Sequence, residues 1–135
     1  MITQNTKTFM IIGSFMMALT IAIGAFGAHG LKPYLDEYST TIYEKAVSYQ
    51  FYNTLGLFFL SFISYLLPRS TKITKAFYFI LFGTLIFSFS LYTLALTKIM
   101  WLGAITPIGG TLMIIGWVLC GYTIIKDLDV QKNNN

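Results

Sequence analysis

Four stretches of the chain carry no charged side chain: residues 8–31, 46–68, 76–97 and 99–125. A helix of about 20 apolar residues crosses the roughly 30 Å hydrocarbon core of a bilayer. Inside lipid every backbone N–H and C=O must be paired, which leaves only helices and closed barrels. Barrel strands would be about 10 residues long and alternate apolar with polar. Leu57-Phe58-Phe59-Leu60 and Phe77-Tyr78-Phe79-Ile80-Leu81-Phe82 do not alternate. The pattern predicts an all-α integral membrane protein, an antiparallel bundle of four transmembrane helices. The expected spans are residues 8–29, 46–67, 76–97 and 102–125, in one domain covering 1–135 and ending in a polar, flexible tail over 126–135.

Boundary residues refine these elements. Thr41-Ile42-Tyr43-Glu44 fits a capping box, in which a hydroxyl and a carboxylate satisfy free N–H groups at a helix start. Helix 2 is therefore expected from Ile42 to Leu67, with Pro68 ending it. Helix 3 is expected to begin after Lys75. Helix 4 has an irregular entry, Trp101-Leu102-Gly103-Ala104-Ile105-Thr106-Pro107. Proline suits a first helical turn, which gives two readings: a regular helix from near Thr106 after an interfacial stretch, or one helix from Trp101 kinked at Pro107. The first apolar run exceeds the usual length of a signal-peptide core, so it is read as a retained span.

Composition supports the membrane reading. The chain has nine Lys/Arg and five Asp/Glu, only 10% charged, and is 56% hydrophobic. A soluble domain carries about 25% charged residues. With an even number of spans, Lys7, Arg69, Lys72, Lys75, Lys126 and Lys132 share one side, against Lys32, Lys45 and Lys98 on the other. Cations concentrate on the cytoplasmic side, so both termini are expected there. The net charge of +4 fits topology and attraction to anionic headgroups; nucleic-acid binding is not indicated.

In lipid, small and polar residues report helix interfaces better than apolar periodicity does. Ser14, Ala18, Ala22, Ala25 and His29 share one face of helix 1 by their spacing. Gly109, Met113, Gly116 and Cys120 do so on helix 4, Tyr49, Asn53 and Gly56 on helix 2, and Thr84, Ser88 and Tyr92 on helix 3. All four stripes are expected to face inward. By depth, His29, Tyr49, Tyr52, Asn53, Ser88, Ser90, Tyr92 and Thr106 gather in the outer half, where a ligand site is expected. Trp101, Tyr43 and Tyr92 are read as interface anchors, and Trp117 as packing.

Gly24-Ala25-Phe26-Gly27-Ala28-His29-Gly30-Leu31, Tyr49-Gln50-Phe51-Tyr52-Asn53, Phe87-Ser88-Phe89-Ser90-Leu91-Tyr92 and Leu102-Gly103-Ala104-Ile105-Thr106-Pro107-Ile108-Gly109-Gly110 carry a resemblance. In order and spacing they resemble the domain-of-unknown-function 423 family, small membrane proteins similar to transmembrane protein 256. The resemblance implies a four-helix bundle in the bacterial inner membrane, multi-pass, with Gly24, Gly27, Gly30, Gly103, Pro107, Gly109 and Gly110 as packing positions of the family motifs. It implies no reaction, ligand or partner. Two positions depart from the family pattern. Asn53 stands where Tyr-His is usual, and Phe89 stands between Ser88 and Ser90 where glycine is usual. The second change is expected to alter the packing of helix 3.

The chemistry the sequence offers is sparse. Zinc needs three or four grouped N, S or O ligands, and one His and one Cys do not supply them. No metal site and no cofactor are implied. The carboxylates Asp36, Glu37, Glu44, Asp127 and Asp129 lie outside the spans, whereas proton pathways place such groups within them. His29 is the single histidine of the chain, the residue type suited to a switch near physiological pH. It is read either as a ligand to a headgroup or quinone oxygen, as a pH sensor, or as a cap on the carbonyls ending helix 1. Three functions follow. The first is a non-enzymatic structural or assembly module, with the lipid bilayer and a second copy or a membrane-protein partner as its company. The alternative is a binder or carrier of a lipid or quinone-like amphipathic molecule. The third, an enzyme with His29 as general base, needs a nucleophile and an orienting partner, for which only Tyr and Ser hydroxyls are at hand.

Overall fold

The computed structural model describes residues 1–128. Most of the polar tail expected over 126–135 lies outside the described residues. Four long helices dominate: α1 (Gln4–Phe26), α2 (Glu37–Leu66), α3 (Thr71–Thr97) and α4 (Thr106–Asp127). A π-helical turn, Gly27–Leu31, extends α1, and a 3-10 turn, Met100–Ala104, leads into α4. Of the two readings of helix 4, the one with the regular helix at Thr106 holds, and Pro107 sits in its first turn.

Three helix starts differ from or add to the sequence expectation, each for a capping reason. Asp36 accepts the Ser39 N–H at 2.8 Å and starts α2 five residues before the expected Ile42. The Thr41 hydroxyl, read as a cap, instead donates to the Glu37 carbonyl inside the helix. A carboxylate at the first turn complements the free N–H groups and the helix dipole better than a hydroxyl does. Ser70 likewise caps α3 ahead of Lys75, accepting from the Ile73 N–H. Thr3 caps α1.

The helices pack in chain order: α1 on α2, α2 on α3, α3 on α4. The chain direction reverses at each step. At one end, Thr6 of α1 bonds Ser64 of α2 at 3.1 Å, and Lys72 of α3 pairs with Asp127 of α4 at 2.8 Å. At the other end, Lys98 pairs with Asp36. The core of the first end is aromatic and aliphatic: Phe9 stacks on Phe77 with centroids 3.8 Å apart, among Leu57, Leu60, Ile73 and Ile80.

The inward stripes divide. On α4, Gly109, Met113, Gly116 and Cys120 are buried as expected, and so are Thr84, Ser88 and Tyr92 on α3. On α2, Asn53 and Gly56 are buried, but Tyr49 is half exposed. On α1 the expectation fails. Ser14, Ala18, Ala22, Ala25 and His29 are exposed, and Thr6, Phe9, Gly13, Met16 and Thr20 face the protein. The reason is the aromatic stack. Seating Phe9 on Phe77 turns toward α2 the register containing Gly13, where the Phe58 ring leaves little room for a side chain.

Close approach at α3–α4 depends on glycines, two of which face each other at one crossing. A Cβ on Gly109 would stand 2.5 Å from the Phe87 backbone nitrogen and 2.6 Å from the Gly83 carbonyl oxygen. A Cβ on Gly83 would meet the Met113 nitrogen at 2.7 Å. The two backbones touch here, as small residues allow helices to do in lipid. By contrast Gly103 and Gly110 have ordinary space.

Many large apolar side chains point outward, among them Phe15 (74% exposed), Ile114 (66%) and Val118 (67%). Exposed apolar surface on this scale needs a nonaqueous neighbour. Among the described residues, Gln4–Leu31, Thr71–Thr97 and Met100–Asp127 are long and apolar enough to cross a membrane. α2 is the more polar helix, and its Gln50, Asn53, Thr54, Ser61 and Ser64 are buried.

Candidate functional site

The eight residues assigned to the outer half from the sequence fall into three groups. The first is an interlocked set of hydrogen bonds across helices. The Ser88 hydroxyl of α3 donates to the Ala46 carbonyl of α2 at 2.9 Å. The Tyr92 hydroxyl donates to Gln50 Oε1 at 2.7 Å. Ser90 and Thr106 share a hydrogen bond at 2.8 Å, joining α3 to the start of α4. Asn53 donates to the Tyr49 carbonyl at 2.9 Å and accepts from the Trp117 indole of α4 at 3.0 Å.

Gln50, Asn53, Ser88, Ser90 and Tyr92 are buried, and Thr106 and Trp117 are partly buried. A buried polar group left unpaired in such surroundings costs about 1–3 kcal/mol, so each bond opposes separation of the helices it joins. Tyr92 is therefore no interface anchor, and neither is Tyr43. Tyr43 is buried, tilts against Tyr92 with centroids 5.0 Å apart, and donates to the Ile23 carbonyl of α1 at 2.8 Å. Its ring lies directly over Gly27, where a side chain would collide with it. The π-helical turn is thus held from outside by a tyrosine of the next helix. Trp101 does remain exposed.

The second group is Tyr49 and Tyr52, which line an open groove with Asn53, Phe87 and Trp117 between α2 and α4. The groove encloses about 730 Å³. Tyr49 packs on Phe87 with centroids 4.6 Å apart, and Gly110 contributes a bare stretch of the α4 wall. The Trp117 ring lies tightly over Gly56 and so acts as packing, as expected, while its indole N–H fixes the Asn53 amide.

The third group is His29 alone. It is exposed on the π-helical turn, and its ring forms no hydrogen bond among the described residues, so it is not a cap. It lines neither the α2–α4 groove nor the crevice beside its own turn. The eight residues therefore do not converge on one pocket. Phe89 also departs from expectation: it faces outward, edge-on to Tyr92 at 5.7 Å, so its bulk falls outside the helix contacts.

Sequence reasoning overlooked Tyr43 and Gln50 as locking residues. Gln50 is one of two amides within the charge-free stretch of α2, and a buried amide in lipid must find partners. Its Oε1 has one in Tyr92, while its Nε2 has none among the described residues.

A second crevice, of about 460 Å³, lies between the π-helical turn and the beginning of α2, lined by Gly24, Gly27, Lys32, Tyr43, Glu44 and Ser48 among others. Below it a shallower furrow of about 320 Å³ continues between α1 and α2 past Thr20, Phe51 and Tyr52. Gly24, Val47 and Ser48 line both.

Apolar helices locked by buried hydrogen bonds and presenting an apolar exterior define an integral membrane protein. The comparisons agree. The family model described as protein of unknown function DUF423 matches residues 23–110. The chain belongs to this family. It is 44% identical over 120 residues to a UPF0382 membrane protein of Staphylococcus epidermidis, covering 89% of this chain and 97% of the relative. It is 45% identical over 120 residues to UPF0382 membrane protein SH2409 of Staphylococcus haemolyticus, with the same coverage. It is 38% identical over 122 residues to UPF0382 membrane protein YwdK of Bacillus subtilis, covering 90% of this chain and 99% of the relative. No solved structure matches the chain.

Proposed function

We propose that this protein is a non-enzymatic structural or assembly module of the bacterial plasma membrane, crossing it four times as an antiparallel bundle with both termini in the cytoplasm. The observation that carries the functional part is the use of the outer-half polar groups. Ser88, Ser90, Tyr92, Asn53 and Thr106 all bond across helices. Groups held this way stabilise a packed unit rather than offer an oriented nucleophile or base to a substrate.

Three observations support the topology. α2 has 30 residues, about 45 Å at 1.5 Å per residue, enough to cross the core with its charged first turns in the headgroups. It lies between α1 and α3, both apolar enough to span, and its Gln50, Asn53, Thr54, Ser61 and Ser64 turn into the protein. The end carrying the N-terminus and the α2–α3 link also carries Lys7, Arg69, Lys72, Lys75 and Lys126. A fluorescent protein that matures only in the cytoplasm, fused to the C-terminus, is expected to be bright, and a periplasm-dependent phosphatase there inactive. The module reading expects a second copy or a membrane-protein partner to survive mild extraction. A partner-free monomer in native nanodiscs would refute it.

The α2–α4 groove favours a second reading, a binder of a lipid or quinone-like molecule. Tyr49 and Tyr52 give its rim polar hydroxyls and Phe87 and Trp117 give it apolar walls, the combination such ligands need. On this reading Tyr52→Ala depletes a co-purifying amphiphile and His29→Ala does not.

A further inference from the structure

We propose that the crevice and furrow between α1 and α2 form a site for one zwitterionic phospholipid, with its phosphate on Lys32, its ammonium on Glu44 and an acyl chain descending past Gly24 and Val47 toward Phe51. This narrows the amphiphile-binding reading to a headgroup chemistry and moves it to a different pair of helices. It rests on that reading, and on the α1–α2 turn lying at a membrane surface, whichever surface that is.

Lys32 is the first charge after the uncharged stretch 8–31, and Glu44 and Lys45 are the last before the stretch 46–68. The crevice therefore opens where apolar surface gives way to charge, at the level of lipid headgroups. Opposite charges line its walls: Lys32 from the π-helical turn's end, Glu44 from the first turns of α2. The two are not paired with each other, and neither has another ion-pair partner among the described residues. Two unpaired opposite charges around one opening complement a headgroup carrying both signs better than one carrying a single sign.

Hydroxyls add to this. Buried helical hydroxyls elsewhere, such as Thr20, Thr54, Ser61 and Thr84, donate to the carbonyl one turn earlier. Ser48 and Thr40 line the crevice and make no such bond among the described residues, so both remain available to phosphate or glycerol oxygens. Continuity supplies the chain. Gly24, Val47 and Ser48 line both crevice and furrow, and the absence of a side chain on Gly24 lets Val47 pack close to the α1 backbone there. From there the lining becomes Ile21, Phe51 and Tyr52. A site charged at its mouth and apolar below matches a phospholipid along its length. π-helical turns recur at functional positions, and here Tyr43, itself in the crevice lining, covers Gly27 with its ring and bonds the Ile23 carbonyl just before the turn.

The test uses the full-length chain in nanodiscs holding equal amounts of phosphatidylethanolamine and phosphatidylglycerol, released for native mass spectrometry. The expected result is one retained phosphatidylethanolamine, favoured over phosphatidylglycerol by about fivefold, as one charge-assisted contact would give. Lys32→Ala should lower retention of both lipids. Glu44→Gln should bring phosphatidylethanolamine down to the level of phosphatidylglycerol. Lys45→Ala, an exposed cation outside the crevice, is the control and should change nothing. All three side chains are exposed, so folding is not at stake. Soluble phosphoethanolamine should not displace the lipid, because it lacks the chain; displacement would overturn the acyl part. Equal retention of the two lipids by the wild type, or equal losses in Lys45→Ala and Lys32→Ala, would overturn the headgroup assignment while leaving amphiphile binding standing. No retained lipid at all would overturn both.

Discussion

Gly109 and Gly110 are neighbours in the chain and should respond differently to the same substitution. A methyl on Gly109 would stand 2.5 Å from the Phe87 nitrogen, 2.6 Å from the Gly83 oxygen and 2.9 Å from the Phe87 Cα. Ordinary contacts begin at 3.4 Å, so the shortest is about 0.9 Å too close. All three obstacles are backbone atoms, and no rotamer change relieves them. α3 and α4 would have to part by a comparable distance. A gap of about 0.5–1 Å forfeits a quarter to a half of each dispersion contact across it, and overpacking generally costs about 1–3 kcal/mol. The gain in helix propensity from Gly to Ala, about 1 kcal/mol in a soluble host, offsets only part. Gly109→Ala should therefore destabilise by about 1–2 kcal/mol. At Gly110 the nearest atom to a new Cβ is the Phe87 ring at 3.8 Å. Gly110→Ala should be neutral or slightly stabilising, by up to about 1 kcal/mol. Reversible unfolding in mixed micelles, titrated with dodecyl sulfate and followed by tryptophan fluorescence, measures both. Equal shifts for the two variants, or a neutral Gly109→Ala, would show that α3 and α4 do not meet at this crossing.

Other outcomes follow from the locks. Gln50→Leu strands the Tyr92 hydroxyl and should cost about 1–3 kcal/mol. Adding Tyr92→Phe should recover most of it, since removing both partners leaves nothing unpaired; an additive double variant would argue against the bond. Tyr43→Phe removes the hydrogen bond to Ile23 and should cost about 0.5–1.5 kcal/mol, with faster amide exchange confined to Gly27–Leu31. Lys98 and the Ser39 backbone hold the Asp36 carboxyl down to about 2, from an ordinary 3.8. Because the folded value is the lower one, this contribution is complete above the unfolded value and is lost as pH falls from about 3.8 through 2. Asp36→Asn should flatten the unfolding midpoint across that window, and added salt should weaken the effect in the wild type because the pair is exposed. If Asp36→Asn retains the wild-type acid dependence, Asp36 is not its source.

The residues differ in how far their roles were legible. The α4 stripe could be read because Gly109, Gly116 and Cys120 are the small residues of one helical face, with Met113 between them, and lipid offers no reason to place them so except packing. The α1 stripe was misread because two registers of small residues compete there. Ser14, Ala18, Ala22 and Ala25 form one; Gly13, Thr20, Gly24 and Gly27 form the other. Only the tertiary stack of Phe9 on Phe77 selects between them. Helix starts went astray where a capping box within the helix outcompeted a plain Asp36 in the reading, although a carboxylate is the stronger partner for free N–H groups. Asn53, Ser88 and Tyr92 were recognised as important by type and depth. Of these only Asn53 lines the groove; sequence spacing cannot distinguish a polar side chain turned toward an opening from one bonded to the next helix. The clamp of Tyr43 on the π-helical turn joins residues 20 positions apart, and no local pattern encodes it.

The account depends above all on where the two linking turns at the Asp36–Lys98 end lie. Single cysteines at Tyr34, Ser70 and Met100, introduced into a Cys120→Ser background and treated with a membrane-impermeant maleimide on intact cells, test this directly. The prediction is that positions 34 and 100 label from outside and position 70 labels only after lysis. Labelling of 34 and 100 from opposite sides of the membrane would contradict the four-span arrangement.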